Sequence, residues 1–222
     1  CPREIHKLGR PHGVMSTAKY KASIDEVVAL GCTQIVLTGF GEPLVDKQLE
    51  QKIEYAKSKG LNTYFISNAS LLSKNRAASI IKAGLDELRV SFYGMQTSTY
   101  NKVMVGLEFD VTMKNLADFL ALRDELGTKK PRLEMNWIVL PENEGDPDAF
   151  REYWEPRADA IEIWKPHNFG DGRSYRERYE EMAMKNTCGR PENGPLQIQW
   201  NGEVIPCCYD YNNKIVLGNA FE

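Results

Sequence analysis

No stretch of this chain approaches the run of about twenty apolar residues that a membrane-spanning helix needs, and no secretory signal peptide is visible. A membrane partner is therefore not expected, and the cytoplasm is the expected compartment. Neither sign of charge dominates, with 28 basic against 31 acidic residues. Without a concentrated basic footprint, nucleic acid is not an expected partner. The short basic clusters Lys129-Lys130-Pro131-Arg132 and Arg173 to Arg178 are diluted by Glu and read as solvated faces. Histidine is scarce, with only His6, His12 and His167. Cysteine is scarce and odd in number: Cys1, Cys32, Cys188, Cys207 and Cys208. An odd set without secretory context points to reduced thiols and metal or redox chemistry, not a disulfide framework. Internal repeats and low-complexity tracts are also lacking.

What is present is a regular alternation. Helices are predicted over 17–30, 46–58, 73–82, 110–126 and 146–157, several closed by a glycine such as Gly31, Gly84 or Gly127. Between them, strands are predicted over 33–38, 62–67, 87–92, 132–140 and 160–164. Strand and helix alternate with short joins, the signature of a parallel α/β sheet with right-handed crossovers. Nearly all the strands read as continuous apolar runs, which predicts a sheet covered on both faces. The alternation ends at Trp164. Residues 165–187 read as a loop and a polar helix, and a cysteine-bearing module follows. A boundary near 185 gives domains 1–185 and 186–222. With Cys1 at one end and Glu222 at the other, the chain reads as an excerpt of a longer protein.

Active sites of parallel α/β folds gather at the carboxyl ends of the strands. Those ends are polar and Gly-rich here: Thr38-Gly-Phe-Gly-Glu-Pro43, Ser67-Asn-Ala-Ser70, Ser91-Phe-Tyr-Gly94, Asn136 within the fourth strand, and Lys165-Pro-His-Asn168 after the fifth. Each alone reads equally well as a tight turn. Five in register point to a site, with His167 as a substrate or cofactor contact and Tyr93, Asp171, Arg173 and Asp210 as further candidates.

The tail carries the second signal. Thirteen residues separate Cys188 from Gly202, and four separate Gly202 from Cys207. Residues 195–200 and 203–208 read as two strands joined by an Asn201-Gly202 turn, which brings Cys207 back towards Cys188. Paired thiolates are ligands for a soft metal or an iron–sulfur cluster. Cys208 falls on the opposite strand face from Cys207, where it packs, donates a hydrogen atom or acts as an alternative ligand. Cys32 reads as a core residue.

The Cys188/Gly202/Cys207 spacing resembles the start of the SPASM or twitch extension of radical SAM enzymes, C-x(9–15)-G-x4-C. Phe40-Gly41-Glu42-Pro43 resembles that superfamily's GGEP-like motif, with Phe in place of the first Gly, and Ser67-Asn68-Ala69 resembles its Thr-Asn-Gly turn. Cys1-Pro2-Arg3 looks like the last cysteine of its C-x3-C-x2-C cluster motif. The resemblance implies a partial (β/α)6 TIM-like barrel missing its first strand, followed by a small β-hairpin module. It implies a [4Fe-4S] cluster held in part by Cys1, S-adenosylmethionine, and an auxiliary cluster held by Cys188 and Cys207. Gly41, Glu42, Pro43, Asn68, Ser91, Asn136 and His167 would contact S-adenosylmethionine, with Cys208 and Asp210 as catalytic candidates. The implied activity is reductive cleavage of S-adenosylmethionine to a 5′-deoxyadenosyl radical that takes hydrogen from a peptide, protein or small-molecule substrate such as a sugar. An electron donor such as flavodoxin or ferredoxin is implied as a partner. The residues themselves leave two alternatives: a zinc-binding TIM-like barrel enzyme, and a non-catalytic binding protein on the same barrel.

Overall fold

The structure, a computed structural model, describes residues 9–166, 189, 194–210 and 212–222. Cys1, His6, His167, Asp171, Arg173 and Cys188 lie outside the described residues. The chain divides into two compact units: Ile24–Lys165, and a second drawn from Cys1–Ser23 and Pro166–Glu222.

In the larger unit, five strands form one parallel sheet in the order β1 (Gln34–Val36), β2 (Asn62–Ser67), β3 (Glu87–Ser91), β4 (Arg132–Ile138) and β5 (Ala160–Trp164). Strand order follows chain order without a reversal. Crossovers of one hand then put the helices that connect these strands on the same face, as in a barrel wall and unlike a doubly wound sheet. The helices are α1 (Thr17–Ala29), which begins in the smaller unit, α2 (Leu49–Ser58), α3 (Lys74–Ala83), α4 (Thr97–Val103), α5 (Phe109–Glu125) and α6 (Pro147–Trp154).

The core lies between sheet and helices. Phe65, Leu88, Val90, Leu133, Met135 and Trp137 from the strands meet Ile53, Ala77, Ile80, Leu116, Phe119, Phe150 and Trp154 from the helices. These side chains alternate along their strands with Tyr64, Glu87, Arg89, Ser91, Glu134 and Asn136. The expectation of a sheet with two apolar faces is therefore corrected: the second face is polar. It carries a linked set of charges, with Arg89 Nε 2.5 Å from Glu87 and 3.5 Å from Glu134, and Arg132 3.0 Å from Glu87. The Arg89 guanidinium also lies 4.3 Å from the centre of the Tyr64 ring. A polar face of this kind suits a barrel interior that holds a polar ligand instead of a packed plug.

The expected helix from residue 46 starts later, at Leu49, because Pro43–Val45 first makes a 3-10 turn. Helix α4 was not expected. Cys32 is half-buried, its thiol donating to the Gln34 carbonyl at 3.0 Å, and does not join the core.

In the smaller unit, β6 (Gln197–Ile198), β7 (Glu203–Ile205) and β8 (Gly218–Asn219) form an antiparallel sheet, one strand more than the expected hairpin. The β6–β7 turn also differs from a two-residue Asn-Gly turn. Gln199 donates to the Glu203 carbonyl and Gly202 to the Gln199 carbonyl, so the loop takes in Trp200, with Gly202 at φ +95° as its last residue.

Candidate functional site

At the carboxyl end of β1 the chain needs a turn that leaves backbone exposed. Gly39 and Gly41 supply it, and a Cβ placed at Gly39 would meet nothing within 4 Å. Pro43 then fixes the backbone angle for the 3-10 turn, closed by Val45 N–H to the Glu42 carbonyl at 3.1 Å. Glu42 caps this turn, its Oε1 accepting from Leu44 N–H at 3.1 Å.

The same carboxylate reaches the neighbouring strand end. Its Oε1 accepts from Ser67 Oγ at 2.7 Å and its Oε2 from the Asn68 N–H at 2.9 Å. A second link lies beside it, where Ile66 N–H donates to Thr38 Oγ1 at 2.8 Å. Asn68 shapes the rest of the β2 turn, its Oδ1 accepting from Ser70 N–H and Ser70 Oγ at 2.9 and 2.6 Å. Ala69 takes φ +58°, a left-handed conformation in the place where the resembled turn has glycine. Its carbonyl, with that of Ser70, is held at 3.0 Å by Asn115 Nδ2 from α5.

Ser91 and Asn136 face each other in the β3–β4 register. Asn136 is oriented at both ends of its amide: Nδ2 donates to Glu134 Oε1 at 3.2 Å, and Oδ1 accepts from Trp164 Nε1 at 3.3 Å. Burial raises the Tyr93 phenol above its ordinary pKa, against an opposing hydrogen bond with Ser91. Asn143 clamps the two loops that follow, donating to the Tyr93 and Ile138 carbonyls and accepting from Leu140 N–H. The structure thus brings Gly41, Glu42, Pro43 and Asn68 together in one braced pair of turns. It sets Ser91 and Asn136 side by side on the next two strands, while His167 lies outside the described residues. Asn143 and the Glu134–Asn136–Trp164 chain were not anticipated; neither belongs to a local motif.

The sulfur site is seen from one side. Cys207 and Cys208 follow β7 in a turn, so strand alternation does not set the face of Cys208 as expected. The Cys207 carbonyl accepts from Asp210 N–H at 3.0 Å, and Cys207 Sγ lies 3.4 Å from the Tyr209 N–H. The Asp210 carboxylate is engaged by the Lys214 and Ile215 N–H groups at 2.8 and 2.7 Å, which closes the loop after Cys207. Among the described residues, no three His, Cys, Asp or Glu side chains are grouped as a metal requires; Cys188 is not one of those residues. His12 is exposed.

Comparison with known proteins bears on both sites. A family model described as the radical SAM superfamily matches residues 1–153, and one described as an iron–sulfur cluster-binding domain, SPASM, matches residues 188–222. The PqqA peptide cyclase of Rhodopseudomonas palustris is 33% identical over 97 residues, 44% of this chain and 26% of that protein. Among solved structures, SuiB of Streptococcus suis bound to precursor peptide SuiA superposes with a TM-score of 0.70 at 14% identity, over 97% of this chain and 58% of that one. BtrN in complex with AdoMet and 2-DOIA gives 0.60 at 18% identity, over 100% and 71%. At these identities the structural likeness establishes the fold alone. The chain spans about a quarter of the length of the curated cyclases it matches. Of the alternatives left by the residues, an enzyme with iron–sulfur chemistry is the one these matches support, against zinc or a non-catalytic barrel.

Proposed function

The chain belongs to the radical SAM superfamily, and from that premise we propose that the full-length protein cleaves S-adenosylmethionine reductively and takes hydrogen from a peptide substrate. The cofactors of the two matched families are a [4Fe-4S] cluster with S-adenosylmethionine, and an auxiliary iron–sulfur cluster. When bound, they supply the one-electron cleavage and the hydrogen-abstracting power; the protein's share is binding, orientation and exclusion of water.

The observation that carries this reading is the double tie from Glu42 to Ser67 and Asn68. It sets the Gly39–Pro43 turn rigidly against the β2 end and leaves the open, Gly-lined backbone available as acceptors for an ammonium group. In this reading Gly41 and Pro43 shape the acceptor turn, and Glu42 braces it. Asn68, Ser91, Asn136 and His167 meet the carboxylate and ribose of S-adenosylmethionine. Cys1 is a ligand of the first cluster, and Cys188 and Cys207 hold the auxiliary one. A peptide is the favoured substrate because the cyclase is named for its peptide and SuiB was solved with one. A flavodoxin or ferredoxin in the cytoplasm supplies the electron.

The test uses the full-length protein, reconstituted anaerobically with iron and sulfide and reduced with dithionite. Formation of 5′-deoxyadenosine that is lost in Cys1→Ala is the expected result. Full iron loading without any 5′-deoxyadenosine, with and without candidate peptides, would sink the proposal.

A further inference from the structure

The segment that leads into α1 is part of the cysteine-bearing module, although about 190 residues separate them in the chain. Contacts between the described residues make the attachment. Gly9 N–H donates to Asn212 Oδ1 at 2.9 Å, and Arg10 Nη1 to Gln199 Oε1 at 2.7 Å. Trp200 Nε1 donates to the Pro11 carbonyl at 3.2 Å. Lys19 Nζ lies 4.3 Å from the centre of the Phe221 ring.

Between these points the Trp200 indole lies directly on Gly13. A Cβ at residue 13 would come within 2.4 Å of the indole ring carbons, so only glycine admits this approach. The donor end and the flat face of Trp200 are thus both committed to the same short strap, residues 9–13.

The described part of the module that Trp200 anchors has little core of its own. Its strands are two, three and two residues long. Among its described residues, Tyr20 and Ile205 are the only buried hydrophobic side chains. Sheets of this size are marginal without an added staple, and in small domains the staple is commonly a metal. Trp200 stands in the turn before β7, and Cys207 follows the end of β7. The hairpin is therefore held at one end by the strap, and Cys207 follows its other end.

We propose that Trp200 is a positioning residue for the auxiliary iron–sulfur site: docked on Gly13, it fixes the hairpin that presents Cys207, so strap docking and iron retention reinforce each other. The proposal rests on the reading of Cys207 as an iron ligand. Its physical basis is linkage. A metal that binds the ordered hairpin stabilises everything that requires that order, and the coupling runs equally in both directions. The strap needs no contact with the metal for this.

The experiment uses the full-length, reconstituted protein and measures iron retained per chain during a chelator challenge. Cys207→Ser defines the share of iron that belongs to this site. Trp200→Ala and Gly13→Ala are each expected to lose that share about tenfold faster, the size typical of a supporting residue around a metal. Trp200→Phe keeps the ring on Gly13 and is expected to restore most of the retention. In the Trp200→Ala background, Gly13→Ala is expected to add nothing, because the clash it creates is with the indole. Hydrogen exchange supplies the reverse direction: peptides covering residues 9–13 are expected to exchange faster in Cys207→Ser than in the unmodified protein.

Wild-type retention in Trp200→Ala would overturn the proposal, as would an equal Gly13→Ala effect in both backgrounds. Wild-type iron content in Cys207→Ser would instead overturn the reading of Cys207 and remove the proposal's footing. The two failures are therefore distinguishable.

Discussion

Ser67 Oγ donates a 2.7 Å hydrogen bond to Oε1 of Glu42, joining the ends of two adjacent strands across 25 residues of sequence. The carboxylate also accepts from Leu44 N–H and Asn68 N–H, so one side chain organises two turns. In the proposed function Glu42 acts through the shape it imposes on the loop.

This distinguishes bracing from direct contact. Glu42→Ala in the full-length protein is expected to lower 5′-deoxyadenosine formation about 100-fold, the cost of misplacing a reacting group by about 1 Å. Ser67→Ala, which removes the brace together with the acceptor of the Ala69 N–H, should lower it in the same direction by a smaller factor. Unchanged turnover in Ser67→Ala would show that the tie is dispensable.

Gly94 is tight against helix α4. A Cβ there would stand 2.5 Å from Tyr100 N and 2.6 Å from Tyr100 Cα, and backbone cannot yield as a side-chain tip does. Gly94→Ala is expected to cost about 1–3 kcal/mol. Thermal unfolding should show this as a lowered midpoint; an unchanged midpoint would mean that the loop has room to shift.

Asn143 is 1% exposed and uses both ends of its amide, with bonds of 2.7, 2.9 and 3.1 Å to three backbone groups. Asn143→Ala leaves those groups unpaired and is expected to cost about 2–4 kcal/mol by denaturant unfolding. Asn143→Asp should be no better, since an ionised carboxylate cannot donate to the Tyr93 and Ile138 carbonyls. Stability equal to wild type in the Asp variant would refute this account.

Asp86 predicts an acid response. Burial opposes its charge, but bonds from Lys130, Lys57 and the Thr63 N–H prevail and hold its pKa at about 2. Because the folded value lies below the unfolded one, the carboxylate's stabilising contribution is complete above about pH 5 and is lost as pH falls towards 2. Asp86→Asn is therefore expected to cost about 1–2 kcal/mol near neutrality, the pairs being partly solvent-screened. The gap between variant and wild type should narrow below pH 4. A gap that stays constant down to pH 2 would contradict the assignment.

The strands and most helices were legible because β-branched runs and glycine stops are local signals. The polar sheet face was also present, as the strict alternation of Glu87, Arg89 and Ser91 with Leu88 and Val90. It was masked where Tyr64, Phe65 and Ile66 stand in a row, since burial of one face does not show in hydrophobicity alone. Helix α4 was hidden because Thr97, Ser98, Thr99 and Asn101 are poor helix formers, and Gln96 makes no side-chain cap. At the site, Gly41, Glu42, Pro43 and Asn68 were readable as a motif and its neighbouring turn. The bond from Glu42 to Ser67 was not, because nothing in either segment specifies the other. Trp200 was unreadable for the same reason at greater distance: its partners Pro11 and Gly13 lie at the opposite end of the chain.

The two-faced sheet has a bearing on how such a protein can change. Stability is written on the helix side, in Leu88, Val90, Leu133, Met135 and Trp137, while Tyr64, Arg89, Ser91, Glu134 and Asn136 spell out a separate text on the other. A lineage can revise the second text in balanced pairs, exchanging one acid and its arginine together, without reopening the first. The wall can in that sense be rewritten on one side while the other is left as it stands.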